Sequence, residues 1–298
     1  WANEKNKNAC VTYKNNFNDH NIIEEDIHNI DPLNFRPVDV IVSGFPCQPF
    51  SVAGTQEGLA DYRGNLFEHI IRFLKVVRPE VLFLENVKNL ETHDSGRTFK
   101  IICDKLRNEN YSIERIILNT RKYTSIPQNR ERIFIICFKN EHKWWTRDPS
   151  LSITNYFKEI LEEFKNRNIN KKNRLFKSCL EKRKVEKKFY WDETSEIYKR
   201  NKFKEIINKK GLFYQYRRYY LRTNTTGMCP ALTANMGTGG HNIPIIKDSF
   251  GIRNLTPREC FNLQGFPKSF KLPKNMANSH LYKQAGNSVT VPIVYKLA

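Results

Sequence analysis

No stretch of the sequence approaches the roughly 20 consecutive apolar residues that cross a bilayer, so no membrane-spanning helix is expected. The first residues, WANEKNKNAC, lack an apolar h-region and a small-residue cleavage site, and no secretory signal is read there. The seven cysteines (Cys10, Cys47, Cys103, Cys137, Cys179, Cys229 and Cys260) are odd in number, irregularly spaced and without a CxxC pair. That argues against a disulfide framework and against a metal site, and it fits reduced thiols in the cytoplasm. Most of them should be buried small hydrophobes. There is no internal repeat. Acidic residues are scarce: 31 Asp and Glu face 50 Lys and Arg, for a net charge of +19. Such a surplus calls for a polyanionic partner, nucleic acid by default, although a Lys- and Asn-rich composition alone also produces it.

What is present fits a soluble globular chain, with 39% hydrophobic and 27% charged residues. Its 298 residues suffice for one large domain or two ordinary ones. Three apolar runs read as strands: VDVIVSGFP (38–46), EVLFLENV (80–87) and RIFIICF (132–138). NLFEHIIRFLKVV (65–77) and GRTFKIICDKLRNEN (96–110) have helical spacing. The alternation predicts an α/β fold on a buried parallel sheet, with ligands beyond the carboxyl ends of the strands. Cys47 and Glu85 would then share one rim, each just past a strand. TPRECFNLQGFP (256–267) reads as a Thr cap, a Pro in the first turn, a short helix and a Gly stop. The last residues, YKQAGNSVTVPIVYKLA, read as a turn and an apolar helix or strand that returns to the first domain. Residues 139–224 differ in texture. They hold 24 Lys and Arg against 11 Asp and Glu, most of the net surplus, and predict a second, less regular domain.

GFPCQPFS (44–51) places Cys47 between prolines at a strand's mouth. A random cysteine is better read as packing. Here the flanks end the strand and put the thiol on a loop over the rim, where a nucleophile needs to be. Arg130 and Arg132 in QNRERIFII are cations that would favour a thiolate, or a solvated pair at a strand start. Glu85 is either a strand-end cap or an acid aimed at a ring nitrogen. Burial would raise its pKa and a nearby arginine would oppose that.

In order and spacing, GFPCQPFS, ENV, QNRER, RECFNLQGFP and KQAGNSV resemble the C5-specific DNA cytosine methyltransferases of bacterial restriction-modification systems. The resemblance covers nearly the whole chain and is weakest over 140–225, the family's variable target-recognition region. It implies a Rossmann-like methyltransferase sheet, a catalytic and cofactor domain over 1–150 plus 281–298, and a smaller, irregular target-recognition domain over 151–280. It implies that Cys47 adds to C6 of a flipped-out cytosine, which makes C5 nucleophilic toward the methyl of S-adenosylmethionine. Glu85 would hold N3 and the exocyclic amine, Arg132 would contact the base, Arg130 would support Glu85 and Pro46 would shape the loop. On the cofactor it implies Glu4 at the ribose, Asp26 and Ile27 at the adenine, and contacts from Lys5, Pro46, Leu66, Asn287 and Ser288.

On duplex DNA, Gln48 and Ser51 would lie near the flipped base. Arg217, Arg218 and Arg222 in YQYRRYYLR would reach guanines or phosphates. Thr233, Asn235 and Gly237 would approach the backbone. The enzyme would act as a monomer. The sequence departs from the family pattern in several places. No Phe-x-Gly-x-Gly loop precedes WANE, so the first strand and the Gly-rich loop are expected to be missing. Lys5 stands where relatives often carry an aromatic that stacks on adenine, and Ala231 stands where threonine is common. A non-catalytic DNA-binding relative, one chain of a split enzyme with an N-terminal partner, and an RNA cytosine methyltransferase are the alternatives.

Overall fold

The computed structural model describes residues 1–46, 66–140, 162, 177–217, 219–238 and 242–298. Its strands are β1 (Ala2–Asn3), β2 (Ile22–Ile23), β3 (Val40–Gly44), β4 (Val81–Val87), β5 (Tyr111–Asn119), β6 (Gln128–Asn129), β7 (Glu131–Lys139), β8 (Phe213–Arg217), β9 (Tyr220–Asn224), β10 (Cys229–Pro230), β11 (Pro244–Lys247) and β12 (Ile252–Asn254). The main sheet has the order β3-β4-β7-β5. β3 and β4 pair in parallel, but β7 runs antiparallel to both β4 and β5. The expectation of a parallel sheet is therefore corrected to a mixed one. The connection over residues 120–130 is too short for a parallel crossover, so β5 and β7 meet as antiparallel neighbours. The outer strand β5 gives little sequence signal because Glu114 and Arg115 interrupt its apolar residues.

Both faces of this sheet are covered, which is why β4 and β7 read as continuous apolar runs. On one face the helix Leu66–Val77 packs Phe67, Ile70, Ile71 and Leu74 against Leu82, Leu84, Ile133 and Ile135. The helix Arg97–Asn108 adds Ile102 and Leu106. On the other face Phe83, Phe134 and Ile136 meet Ile293 and Leu297 of the helix Val291–Leu297. Each such buried side chain contributes about 1.5–3 kcal/mol. The last apolar segment thus resolves as a helix, with Pro292 in its first turn, and it returns to the first sheet.

β1 and β2 form a separate parallel pair. β3 is an outer strand of the main sheet, and its Val40 and Val42 are 51% and 68% exposed. A second, antiparallel sheet has the order β12-β11-β8-β9 and a core that includes Tyr198, Phe203, Tyr214 and Ile245. Between the sheets, β10 pairs in parallel with β6. The helix Pro257–Leu263 forms as its sequence predicts. Thr256 and Glu259 make a reciprocal capping box. Gly265 follows with φ of +82°, and a β-carbon there would run into Pro292 and Ile126.

Candidate active site

β4 carries Glu85 opposite Gly44 of β3 and Phe134 of β7. The expectation that Glu85 lies just past the strand is corrected: pairing continues to Val87 against Arg132. A carboxylate is tolerated inside this strand because Arg132 Nε lies 2.9 Å from its Oε1. Burial raises the Glu85 pKa, and the charges of Arg132 and then Arg130 oppose the rise. Burial also lowers the Arg132 pKa, with Glu85 opposing, and the guanidinium stays protonated. The pair is a fixed cation beside a carboxyl group that retains its proton more readily than usual.

β3 ends at Gly44, and Phe45 is buried against Phe67. The buried Asn86 side chain donates to the Phe45 carbonyl at 2.9 Å and accepts from Val87 N. Sequence reasoning gives Asn86 no role, yet it fixes the exit of β3 at the approach to Pro46. The signal was a lone amide inside a buried strand, which needs partners. Cys47, Gln48, Ser51 and Arg218 lie outside the described residues.

Arg130, expected to support Glu85, directs its donors elsewhere. It is 2% exposed, with Nη1 2.7 Å from the Leu232 carbonyl and Nη2 3.1 and 2.6 Å from those of Gly286 and Ser288. It acts on Glu85 through charge. Gln128 is a second joint, donating to the Leu263 carbonyl and accepting from Leu232 N. Both pin Leu232, just before Thr233, to the segment 128–130 that leads into β7, the strand that carries Arg132.

A cavity of about 610 Å³ runs beside β3. Glu4, Lys5, Asp26, Ile27, Pro46 and Leu66 all line it. Asn287 and Ser288 are not among its lining residues; the Ser288 carbonyl is held by Arg130. Lys5 Nζ lies 3.1 Å from Asp26 Oδ2. The volume, two carboxylates able to accept from hydroxyl and amino donors, and apolar walls from Ile27 and Leu66 fit a nucleoside cofactor.

Arg217 ends β8 and Arg222 lies on β9 opposite Gln215; both are exposed. Tyr219 and Tyr220 beside them are 84% and 59% exposed. Thr233 and Asn235 are exposed on a turn that Gly237 closes, and Thr233 Oγ1 donates to Asn235 Oδ1. Gly286 lets the helix Asn278–Asn287 approach this turn, since a β-carbon there would collide with the Thr233 backbone.

The family model for C-5 cytosine-specific DNA methylase matches residues 1–298. The chain belongs to that family. It is 43% identical to the Type II methyltransferase M.Bsp6I of Bacillus sp. (strain RFL6), over all of this chain and 89% of that protein. It is 32% identical to the Type II methyltransferase M.HhaI of Haemophilus parahaemolyticus, over all of this chain and 85% of that protein. The solved structure of the S. pombe Dnmt2 methyltransferase shares its fold, with a TM-score of 0.72 at 20% identity over 99% of this chain and 88% of that one.

In this methylase the two halves of the geometry meet at the end of β3. Gly44 and Pro46 line the cavity, and Gly44 is also the register partner of Glu85. A group bound in the cavity and the Glu85 carboxylate would therefore share one short backbone segment.

Proposed function

We propose that this DNA cytosine methyltransferase carries a methyl group from S-adenosylmethionine to C5 of a cytosine flipped out of duplex DNA, through a covalent adduct of Cys47 with C6. The observation that carries this reading is the shared end of β3, with the cofactor-sized cavity on one side and the Glu85–Arg132 pair on the other. Glu4 would accept from the ribose hydroxyls and Asp26 from the adenine amino group. When bound, the cofactor supplies an electrophilic methyl group.

The chain's own residues prepare the base. Cys47 Sγ adds to C6, and Glu85 delivers a proton toward N3 as charge builds on the ring, which leaves C5 nucleophilic. Arg132 holds Glu85 in place and contacts the base. After transfer, loss of the C5 proton and departure of Sγ restore the ring. Support for Cys47 comes from the other thiols. Cys10, Cys103, Cys137, Cys179, Cys229 and Cys260 are all buried, and burial raises the pKa of each, so none is placed to serve as a thiolate.

The catalytic domain is read as 1–150 plus 281–298 and the target-recognition domain as 151–280. Packing of the 291–297 helix on the main sheet supports that division. The cavity lies between β1 and β3, and β3 has no second neighbour among the described residues. The enzyme is read as a monomer acting on duplex DNA, a methyltransferase of the restriction-modification type. Similarity over the whole chain to proteins named as methyltransferases favours an active enzyme over an impaired relative.

The test is methyl transfer onto mixed-sequence duplex DNA followed by bisulfite sequencing, with Cys47→Ser as control. Protection of cytosines in one sequence context, lost in the variant, is expected. No protection at any site would contradict the reading, and transfer to tRNA instead of duplex would replace the substrate.

A further inference from the structure

The turn that bears Asp26 is braced by two histidines. Asp26 caps the short helix Ile27–Asn29, with Oδ1 accepting from His28 N at 3.1 Å. That bond is an ordinary cap. The same oxygen lies 2.5 Å from His28 Nδ1, a second and much shorter contact that the cap does not require. Lys5 Nζ holds the other oxygen at 3.1 Å. The carboxylate is thus gripped on both oxygens while it lines the cavity.

The His28 ring is itself fixed. Its centroid lies 4.2 Å from that of His69, with the planes at 67°, an edge-to-face contact. His69 sits on the helix Leu66–Val77, is 9% exposed and lines the same cavity. Its ring nitrogens are buried and make no hydrogen bond among the described residues. Burial, then the charges of His28 and Arg72, lower its pKa, so at neutral pH it is an uncharged ring that does not compete with His28 for Asp26. Arg72, from the same helix, donates to the carbonyls of Ile27 and Ile30 at 2.8 and 2.5 Å. One helix therefore holds the whole turn, through Arg72 on its backbone and through His69 against the His28 ring.

We propose that His28, held by His69, is a positioning residue that aims the Asp26 carboxylate at the amino group of the cofactor's adenine. A carboxylate on a short side chain has several rotamers, and a donor on one oxygen selects among them before the ligand arrives. The inference rests on the reading of the cavity as the cofactor site.

The experiment is calorimetric titration of the 298-residue chain with S-adenosylhomocysteine and with its analogue lacking the 6-amino group. His28→Phe keeps a ring against His69 and removes the donor; His28→Asn restores a donor near the Nδ1 position. His28→Phe should weaken S-adenosylhomocysteine about tenfold, the size of one hydrogen bond to a charged group. It should leave the deaminated analogue unchanged. His28→Asn should recover most of the loss. In turnover, KM for S-adenosylmethionine should rise in His28→Phe with kcat within about twofold. Equal weakening of both ligands, or a loss in kcat at constant KM, would overturn the inference while leaving the cofactor reading in place. No binding of either ligand to the unaltered chain would overturn the cofactor reading, and this inference with it.

Discussion

In the main sheet, Arg132 meets Glu85 at 2.9 Å, with side chains 17% and 15% exposed. In the second sheet, Arg253 on β12 meets Glu259 through two parallel contacts of 2.7 and 2.8 Å, with side chains 1% and 0% exposed. Asp248 takes the remaining Arg253 nitrogen at 2.7 Å, and Glu259 also accepts from the backbone of Thr256 and Glu181. Burial alone would lower the Arg253 pKa, but the hydrogen bonds and charges of Glu259 and Asp248 raise it. Glu85 has one arginine against its carboxylate, and burial raises its pKa against the opposing charges of Arg132 and Arg130. The same two residue types therefore make a closed joint in one region and a less sealed pair with a raised carboxyl pKa in the other. The difference lies in how many donors each carboxylate receives and how completely it is sealed from solvent.

That comparison can be broken at either pair. Arg253→Met leaves the buried Glu259 uncompensated and should cost about 3–5 kcal/mol of stability in a denaturant titration, with methyl transfer per folded molecule unchanged. Glu85→Gln should do the reverse, lowering the single-turnover rate by about 10²- to 10⁴-fold with little change in melting temperature. The pH dependence sharpens the second case. The fold raises the Glu85 pKa, so the folded state keeps a proton that the unfolded chain has released. Stability from that proton is full below the ordinary carboxylate pKa and is lost as pH rises through the raised one. Denaturant titrations across that window should show the slope in the unaltered chain and a flatter one in Glu85→Gln. A smaller effect is expected at Asn86. Asn86→Ala strips the Phe45 carbonyl of its donor and should cost about 1–3 kcal/mol while slowing transfer. The smallest belongs to Arg217→Ala, which should reduce the slope of log affinity against log salt by about one if the residue contacts phosphate.

The strands β3, β4 and β7 are legible in the sequence because buried strands of a covered sheet are written as unbroken apolar runs. The helix Pro257–Leu263 is legible because Thr256, Pro257 and Gly265 each mark a local backbone requirement. Glu4, Asp26, Ile27, Pro46 and Leu66, which the family resemblance assigns to the cofactor, line one cavity. What escaped the sequence is non-local. The antiparallel turn of the sheet depends on which neighbour β7 finds, and β5, interrupted by charges, hides at the edge. Arg130 reads as an active-site cation, but its partners Leu232 and Gly286 lie 102 and 156 residues away, and no spacing rule links them. Arg253 and Glu259 carry no sequence signal that marks them as a sealed pair; the fold brings them together.

The most direct test uses the duplex site that bisulfite sequencing identifies, with 5-fluorocytosine at the target position. Fluorine at C5 blocks proton loss and so holds the adduct after methyl transfer. Incubation with S-adenosylmethionine, digestion and peptide mass spectrometry should place the nucleotide on Cys47, with none in Cys47→Ser. A covalent product on any other residue, or none under conditions of active methyl transfer, would contradict the account.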